Sequence, residues 1–189
     1  MRFGTTVKER SASGGSSSGK GRFISWLKEG DNVLRFLEEY PQWTEYWQHF
    51  DRNLRRSYPC NNEDRDNCPG CIEKKEDERL AEIEDRKPRV WGASKFFLVN
   101  VLTEQGYVNL YQIPGQAISS IERMYSKYDT ITDREYTIVK YKGDDDKWKY
   151  DLERGDHDNI DLSQYRDRMV DHQVALENAY NEVFGAGTE

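Results

Sequence analysis

The chain has 189 residues, of which 35% are apolar and 33% charged, with a net charge of -7. That length supports one domain with a real core plus tails. The lean apolar share, set against five Trp, twelve Tyr and seven Phe, predicts a small aromatic-rich core with some rings left for recognition. No apolar run reaches membrane-span length, the first residues lack the apolar middle of a secretory signal, and three cysteines would leave one over in a disulfide framework; a reducing, cytoplasmic setting is therefore expected, with no membrane partner.

Residues 1–21 are Gly/Ser-rich with scattered basic groups and no periodicity, so they read as a flexible basic arm. From Phe23, FISWL and NVLRFLEE are short β-type runs across Glu29-Gly30-Asp31-Asn32, which reads as a hairpin turn. WTEYWQHF at 43–50 reads as a third strand. All three cysteines follow in SYPCNNEDRDNCPGC, residues 57–71. Residues 72–86 are good helix formers in which only Ile72, Leu80 and Ile83 are large apolar groups, giving a mostly solvated helix. Residues 90–102 carry the strongest strand signal and pair through Gln105-Gly106 with YVNLYQI. Pro114-Gly115 opens a helix with Ile118, Ile121, Met124 and Tyr125 on one face. YTIVKYK at 136–142 and KWKYDL at 147–152 form a last hairpin. From Asp161, a plausible N-cap, Leu162, Tyr165, Met169, His172, Leu176, Ala179 and Val183 follow a heptad rhythm that predicts one amphipathic helix ending at Gly185.

About seven short strands that turn back on themselves, with helices inserted, predict a mainly β, α+β protein: an OB-type antiparallel barrel over residues 22–152 with a small zinc-binding subdomain at about 49–86. Residues 153–189 form an acidic C-terminal segment. The two ends differ in sign: residues 1–22 hold five basic groups and one acidic, residues 150–189 three basic and ten acidic. That polarity suggests a polyanion near one part and a protein partner, or self-association, near another. The C-terminal helix is expected to pack on the core or to pair with a partner helix through Leu162, Tyr165, Met169, Leu176 and Val183.

Cys68-Pro69-Gly70-Cys71 is a knuckle in which two thiolates grip one ion and Pro-Gly supplies the tight turn. Cys60 brings a third thiolate round the loop. Of His49, His157 and His172, only His49 is close in sequence, on the strand that leads into the loop. His49, Cys60, Cys68 and Cys71 are thus assigned to one structural zinc ion, with Asp64 or Asp66 as substitutes for the histidine. The competing reading, a redox-active Cys-Pro-Gly-Cys, needs a βαβ setting that the surrounding pattern does not supply. A closed four-ligand site leaves no open position for catalysis.

Cations recur beside flat rings: Arg52, Arg55 and Arg56 before Tyr58; Arg86, Lys87 and Arg89 before Trp91, with Lys95 beyond; Lys140 and Lys142 around Tyr141; Lys147 and Lys149 around Trp148. Single-stranded nucleic acid asks for this combination, because cations track phosphates and rings stack on unpaired bases. Taken alone, each ring is as readily core, and alternation sets Tyr141 and Trp148 opposite their flanking lysines.

Val33-Leu34-Arg35-Phe36-Leu37, then His49, Cys60, Cys68-Pro69-Gly70-Cys71 and Arg86-Lys87-Pro88-Arg89-Val90-Trp91 form an order of motifs that resembles the T-even bacteriophage single-stranded DNA-binding proteins. The resemblance covers about residues 22–150, and its specific part is the ordered His, Cys, Cys-x-x-Cys set. It implies a zinc-containing OB-fold, with His49, Cys60, Cys68 and Cys71 as the ligands and Arg86, Lys87, Arg89 and Trp91 in the DNA-contacting run. It also implies self-association along the strand through a basic arm, and recruitment of replication proteins through an acidic C-terminal segment. The ligand spacings here are shorter, and the arm is more Gly/Ser-rich. The function expected is sequence-tolerant binding of single-stranded DNA in phage replication and recombination, without an active site. The alternative is a zinc-stabilised protein-interaction module regulating transcription or replication, which the acidic heptad helix supports.

Overall fold

The computed structural model describes residues 4–6, 24–51, 55–61, 64–90 and 92–185. They form a mixed α+β fold with three α-helices and a nine-stranded, mostly antiparallel sheet. The strands are β1 (Gly4–Thr6), β2 (Ser25–Trp26), β3 (Gly30–Phe36), β4 (Thr44–Asp51), β5 (Arg56–Pro59), β6 (Ser94–Thr103), β7 (Val108–Pro114), β8 (Arg134–Lys142) and β9 (Trp148–His157). The helices are α1 (Pro69–Ile83), α2 (Gly115–Tyr128) and α3 (His172–Phe184). The ladder runs β1-β4-β6-β3-β8-β9, with β5 on β4 and β7 on β6. Among the described residues no ladder joins β9 to β1, β2 or β7, so the sheet is open.

The β6–β7 and β8–β9 hairpins follow the sequence pattern. The first expected hairpin does not form. β2 pairs in parallel with β7, while β3 pairs with β6 and β8. The cause is Asn32, whose side chain accepts from Lys28 N at 2.9 Å and donates to the carbonyls of Lys28, Gly30 and Ile138 at 2.9–3.0 Å. With Gly30 at φ +89°, this bends the chain outward onto β8 instead of folding it back. Gly4–Thr6, read as part of a flexible arm, pair with Thr44–Tyr46. The strand expected from residue 90 begins at Ser94, and the one expected to end at 152 runs on to His157.

β6 organises the molecule. One edge carries β7; the other carries β4 on residues 94–98 and β3 on residues 101–103. Phe97 to Val101 are all buried because both faces are covered, which is why this run is apolar but for Asn100. On one face, Phe97, Val99 and Val101 join Leu34, Phe36, Trp43, Tyr136 and Ile138 under Ile118 and Ile121 of α2. On the other, Leu98 joins Tyr46 and Leu110 under Ala175 and Leu176 of α3.

The acidic tail is two elements, not one helix. Residues Leu162–Arg168 form a 3-10 turn whose N-cap, Asp161, accepts from Ser163 N. The chain then breaks, and Asp171 caps α3 by accepting from Gln173 N at 2.9 Å and Val174 N at 3.1 Å. The heptad stripe is therefore interrupted at Met169, and Leu176 is fully buried against the sheet, not offered to a partner. Leu162, Tyr165, Met169 and Val183 are half-buried.

A buried polar latch fixes the start of α3. Glu38 Oε2 accepts from Asn100 N at 2.8 Å and meets His172 Nε2 at 3.0 Å; His172 Nδ1 pairs with Thr44 Oγ1 at 2.8 Å. Asn100 also exchanges bonds with Val170, Nδ2 to its carbonyl at 3.1 Å and Oδ1 from its N–H at 2.8 Å. Burial alone would raise the Glu38 pKa. The hydrogen bond and charge of His172, with the Asn100 donors, outweigh burial and hold the carboxyl below its ordinary value.

Candidate metal centre and adjoining groove

His49 stands on β4, Cys60 directly follows β5, Cys68 is the N-cap of α1 and Cys71 lies in its first turn. The β4–β5 ladder pairs His49 with Tyr58 and leads the chain to Cys60, whose N–H donates to Trp47 O at 2.7 Å. The loop returns through turns closed by Cys68 N to Arg65 O at 3.3 Å and Ile72 N to Cys68 O at 3.0 Å. Pro69-Gly70, expected as a turn between two ligands, is instead the first turn of α1, where proline's missing N–H costs nothing.

The four donor atoms lie within 4.8 Å of one another. Cys60 Sγ is 3.8 Å from Cys68 Sγ and 3.6 Å from Cys71 Sγ, and Cys71 Sγ is 3.5 Å from His49 Nε2. A tetrahedral ion with bonds of about 2.3 Å to sulfur and about 2.0–2.1 Å to nitrogen sets its ligand atoms roughly 3.5–3.8 Å apart. The spacing is therefore that of a shell around one cation. Asp64 and Asp66, the substitutes considered for His49, stand outside it: Asp64 accepts from Asn67 Nδ2 at 2.7 Å and Asp66 pairs with Lys75 at 2.6 Å.

The glycine of the knuckle is set by space. A Cβ on Gly70 would lie 2.5 Å from His49 Cγ and 2.6 Å from both His49 Nδ1 and Tyr58 Oη, too close for any real contact. The crowded thiols share protons unequally. The Cys60 hydrogen bond, working against burial and helped by His49 and two backbone N–H groups, holds Cys68 down to about 3. Its partner Cys60 is pushed far up by that same hydrogen bond and by burial, and Cys71 is raised chiefly by burial. A metal ion held here would take the place of the thiol protons.

Beside this cluster opens a pocket of about 380 Å³ between β4, β5, the start of β6 and the first turn of α1. Gln48, Phe50, Ser57, Val90 and Phe96 line it, with Glu73 at the α1 side and His49 shared with the metal cluster. Phe50 is 62% exposed. Sequence reasoning missed Phe50, Gln48 and Ser57, and left Phe96 open between core and contact. The available signal was alternation on β4, which sets Gln48 and Phe50 on the face opposite His49.

The structure sorts the expected nucleic-acid contacts. Arg55 and Arg56 are exposed at the start of β5, and Lys87 and Arg89 are exposed after α1; among the described residues none of the four enters an ion pair. Arg86 is engaged, with Nη2 2.8 Å from Asp77 and Nε 2.5 Å from Glu84. Asp77 also accepts from Arg89 N at 2.5 Å and Val90 N at 2.8 Å, which straps the basic run to α1. These bonds, the Val90 N–H first, hold its carboxyl down to about 2 against the opposing effect of burial.

Tyr58 is only 3% exposed and packs between His49 and Phe184, so it is a core ring and not a stacking platform. Lys95 pairs with Glu45 at 3.0 Å and stands over Trp47 and Phe97. Lys140 and Lys142 sit 4.5 and 4.6 Å from the Trp148 ring, with Lys140 also donating to Leu27 O. They lie on β8, separated from β4 by β6 and β3, and are not brought to the metal loop. Arg52 and Trp91 lie outside the described residues.

Among the described residues no helix is long and apolar enough to cross a membrane. Comparison of the chain with family models, with curated proteins and with solved structures found no match.

Proposed function

We propose that the protein binds single-stranded DNA with little regard to sequence and has no active site. One structural zinc ion at His49, Cys60, Cys68 and Cys71 braces the binding surface. The observation that carries this reading is the groove beside the metal cluster: two partly exposed phenylalanines, Phe50 and Phe96, line it with polar Gln48 and Ser57, and the chain adjoining it carries Arg55, Arg56, Lys87 and Arg89, exposed and in no ion pair among the described residues. A flat ring offers about 1–3 kcal/mol per stacked base whatever the base, and free cations follow the phosphates. Three thiolates and an imidazole form the closed donor set that zinc takes in structural sites, so the metal supplies folding energy and no Lewis-acid step.

The order of the ligands and the basic run supports placing the protein among phage replication and recombination factors, with an OB-type barrel as its core and the host cytoplasm as its setting. α1 carries more acidic than basic groups and suits no major groove, which argues against duplex reading. The protein-interaction alternative has less support, because Leu176, one of its five expected contact residues, is buried within the chain.

The test is charge reversal at these four exposed cations. Arg55→Glu, Arg56→Glu, Lys87→Glu and Arg89→Glu should each weaken binding of a labelled single-stranded oligonucleotide. For every phosphate that a variant no longer neutralises, the salt slope should flatten by about 0.7. Metal content should stay at the parent value. Unchanged slopes in all four variants would contradict the reading.

A further inference from the structure

The C-terminal helix α3 touches the metal centre as well as the sheet. Tyr58 is the shared part. Its ring lies 5.5 Å from the His49 ring on one side and, edge-on, 4.7 Å from Phe184 of α3 on the other; Tyr180 is 6.4 Å away. Tyr180 and Phe184 pack on each other at 4.8 Å. Tyr58 Oη also occupies the space that a side chain at Gly70 would need. Ligand loop, Tyr58 and the last turns of α3 therefore form one packed column.

The other end of α3 is held differently. Its first turn is fixed by the Glu38–His172–Asn100 latch and by Leu176 in the core, neither of which touches a metal ligand. The helix thus has one anchor against the ligand loop and one away from it.

We propose that α3 is a metal-sensing clasp. Occupancy of the four-donor site docks its C-terminal half through Tyr58, and loss of the ion releases that half while residues 170–176 stay latched. Dense interiors give such columns discrete packed and unpacked arrangements. Coupling between two sites is reciprocal, so the factor by which the ion favours docking equals the factor by which docking favours the ion. The acidic tail then becomes available to solvent or to a partner only in the metal-free protein. This proposal rests on the metal assignment and is independent of nucleic-acid binding.

The test is hydrogen exchange on the full chain, with one equivalent of zinc and after chelation. Amides of residues 177–184 should exchange at least several-fold faster without metal, while those of 172–176 keep their protection. In parallel, Phe184→Ala, which alters no ligand, should weaken zinc in chelator competition about two- to ten-fold, the range for its pair with Tyr58, the one that reaches the ligand loop. The exchange enhancement in 177–184 should shrink in that variant. If zinc binds one ion per chain yet α3 exchanges alike in both states, or Phe184→Ala holds zinc as tightly as the parent, the clasp is wrong and the metal site stands. If both halves of α3 lose protection together, the two-anchor account is wrong. If no ion binds, the metal assignment and the clasp fall together.

Discussion

Replacing Gly70 by alanine is the most searching perturbation of the metal centre, because it adds one methyl group and removes no ligand. The new carbon would sit 2.5 Å from His49 Cγ and 2.6 Å from Nδ1 and from Tyr58 Oη. All three are ring or ring-bound atoms in a buried column, so the imidazole must move off its donor position. Overpacking of this kind costs about 1–3 kcal/mol. Confined to the loaded state, it corresponds to roughly a 5- to 150-fold loss of metal affinity. Alanine is also a better helix residue than glycine by up to about 1 kcal/mol, which offsets part of the overpacking cost in the metal-free protein. The paired assays are chelator competition and thermal unfolding with and without zinc; the expected result is a fall in affinity and in metal-induced stabilisation together. Gly92→Ala is the control, since its nearest neighbour is the flexible Lys74 Cε at 3.4 Å. A Gly70→Ala protein that binds zinc as tightly as the parent would refute the reasoning, because the four-donor shell would then not require His49 where it stands.

Cys68→Ser should abolish stoichiometric zinc and make residues 55–86 sensitive to limited proteolysis; an unchanged digest would count against a structural ion. Glu38→Gln should lower stability by about 1–3 kcal/mol at neutral pH in urea unfolding, since His172 and Asn100 lose a buried charged acceptor. The Glu38 carboxyl is held low when folded, so it contributes stability above its unfolded value of about 4.3 and loses it as pH falls through the folded value. The parent should therefore show a steeper acid-side decline than the glutamine variant. Asp77, held down to about 2, follows the same sign: its contribution is present above about 3.9 and fades as pH falls toward 2. Asp77→Asn should speed amide exchange at Arg89 and Val90 and leave metal content unchanged.

The metal donors were legible from spacing because ligands close in sequence are brought together by one turn and one ladder. The β6–β7 and β8–β9 hairpins and the buried face of α2 were legible from alternation and from the 3.6-residue repeat. What escaped was whatever depended on side chains far apart in sequence. Asn32 turned an expected hairpin into a bend by bonding to β8, 106 positions away. The heptad from Leu162 to Val183 read as one helix because periodicity does not register that Asp171 starts a new cap. Tyr58 and Arg86 looked like contact residues beside cations; Phe184 and Asp77, distant or unremarkable in sequence, take them up. Exposed Phe50 went unnoticed because it stands beside the ligand His49, on the opposite face of the same strand.

The central claim is a metal-braced surface for unpaired nucleic acid. It is tested most directly by anisotropy titration of one labelled single-stranded DNA, its duplex and the matching RNA, at two salt concentrations, with zinc bound and after chelation. The account predicts binding to the single strand that weakens with salt by a slope of about -0.7 per neutralised phosphate. It also predicts weaker binding to the duplex and a clear loss on chelation. No binding to single strands at low salt, or binding indifferent to the metal, would contradict it.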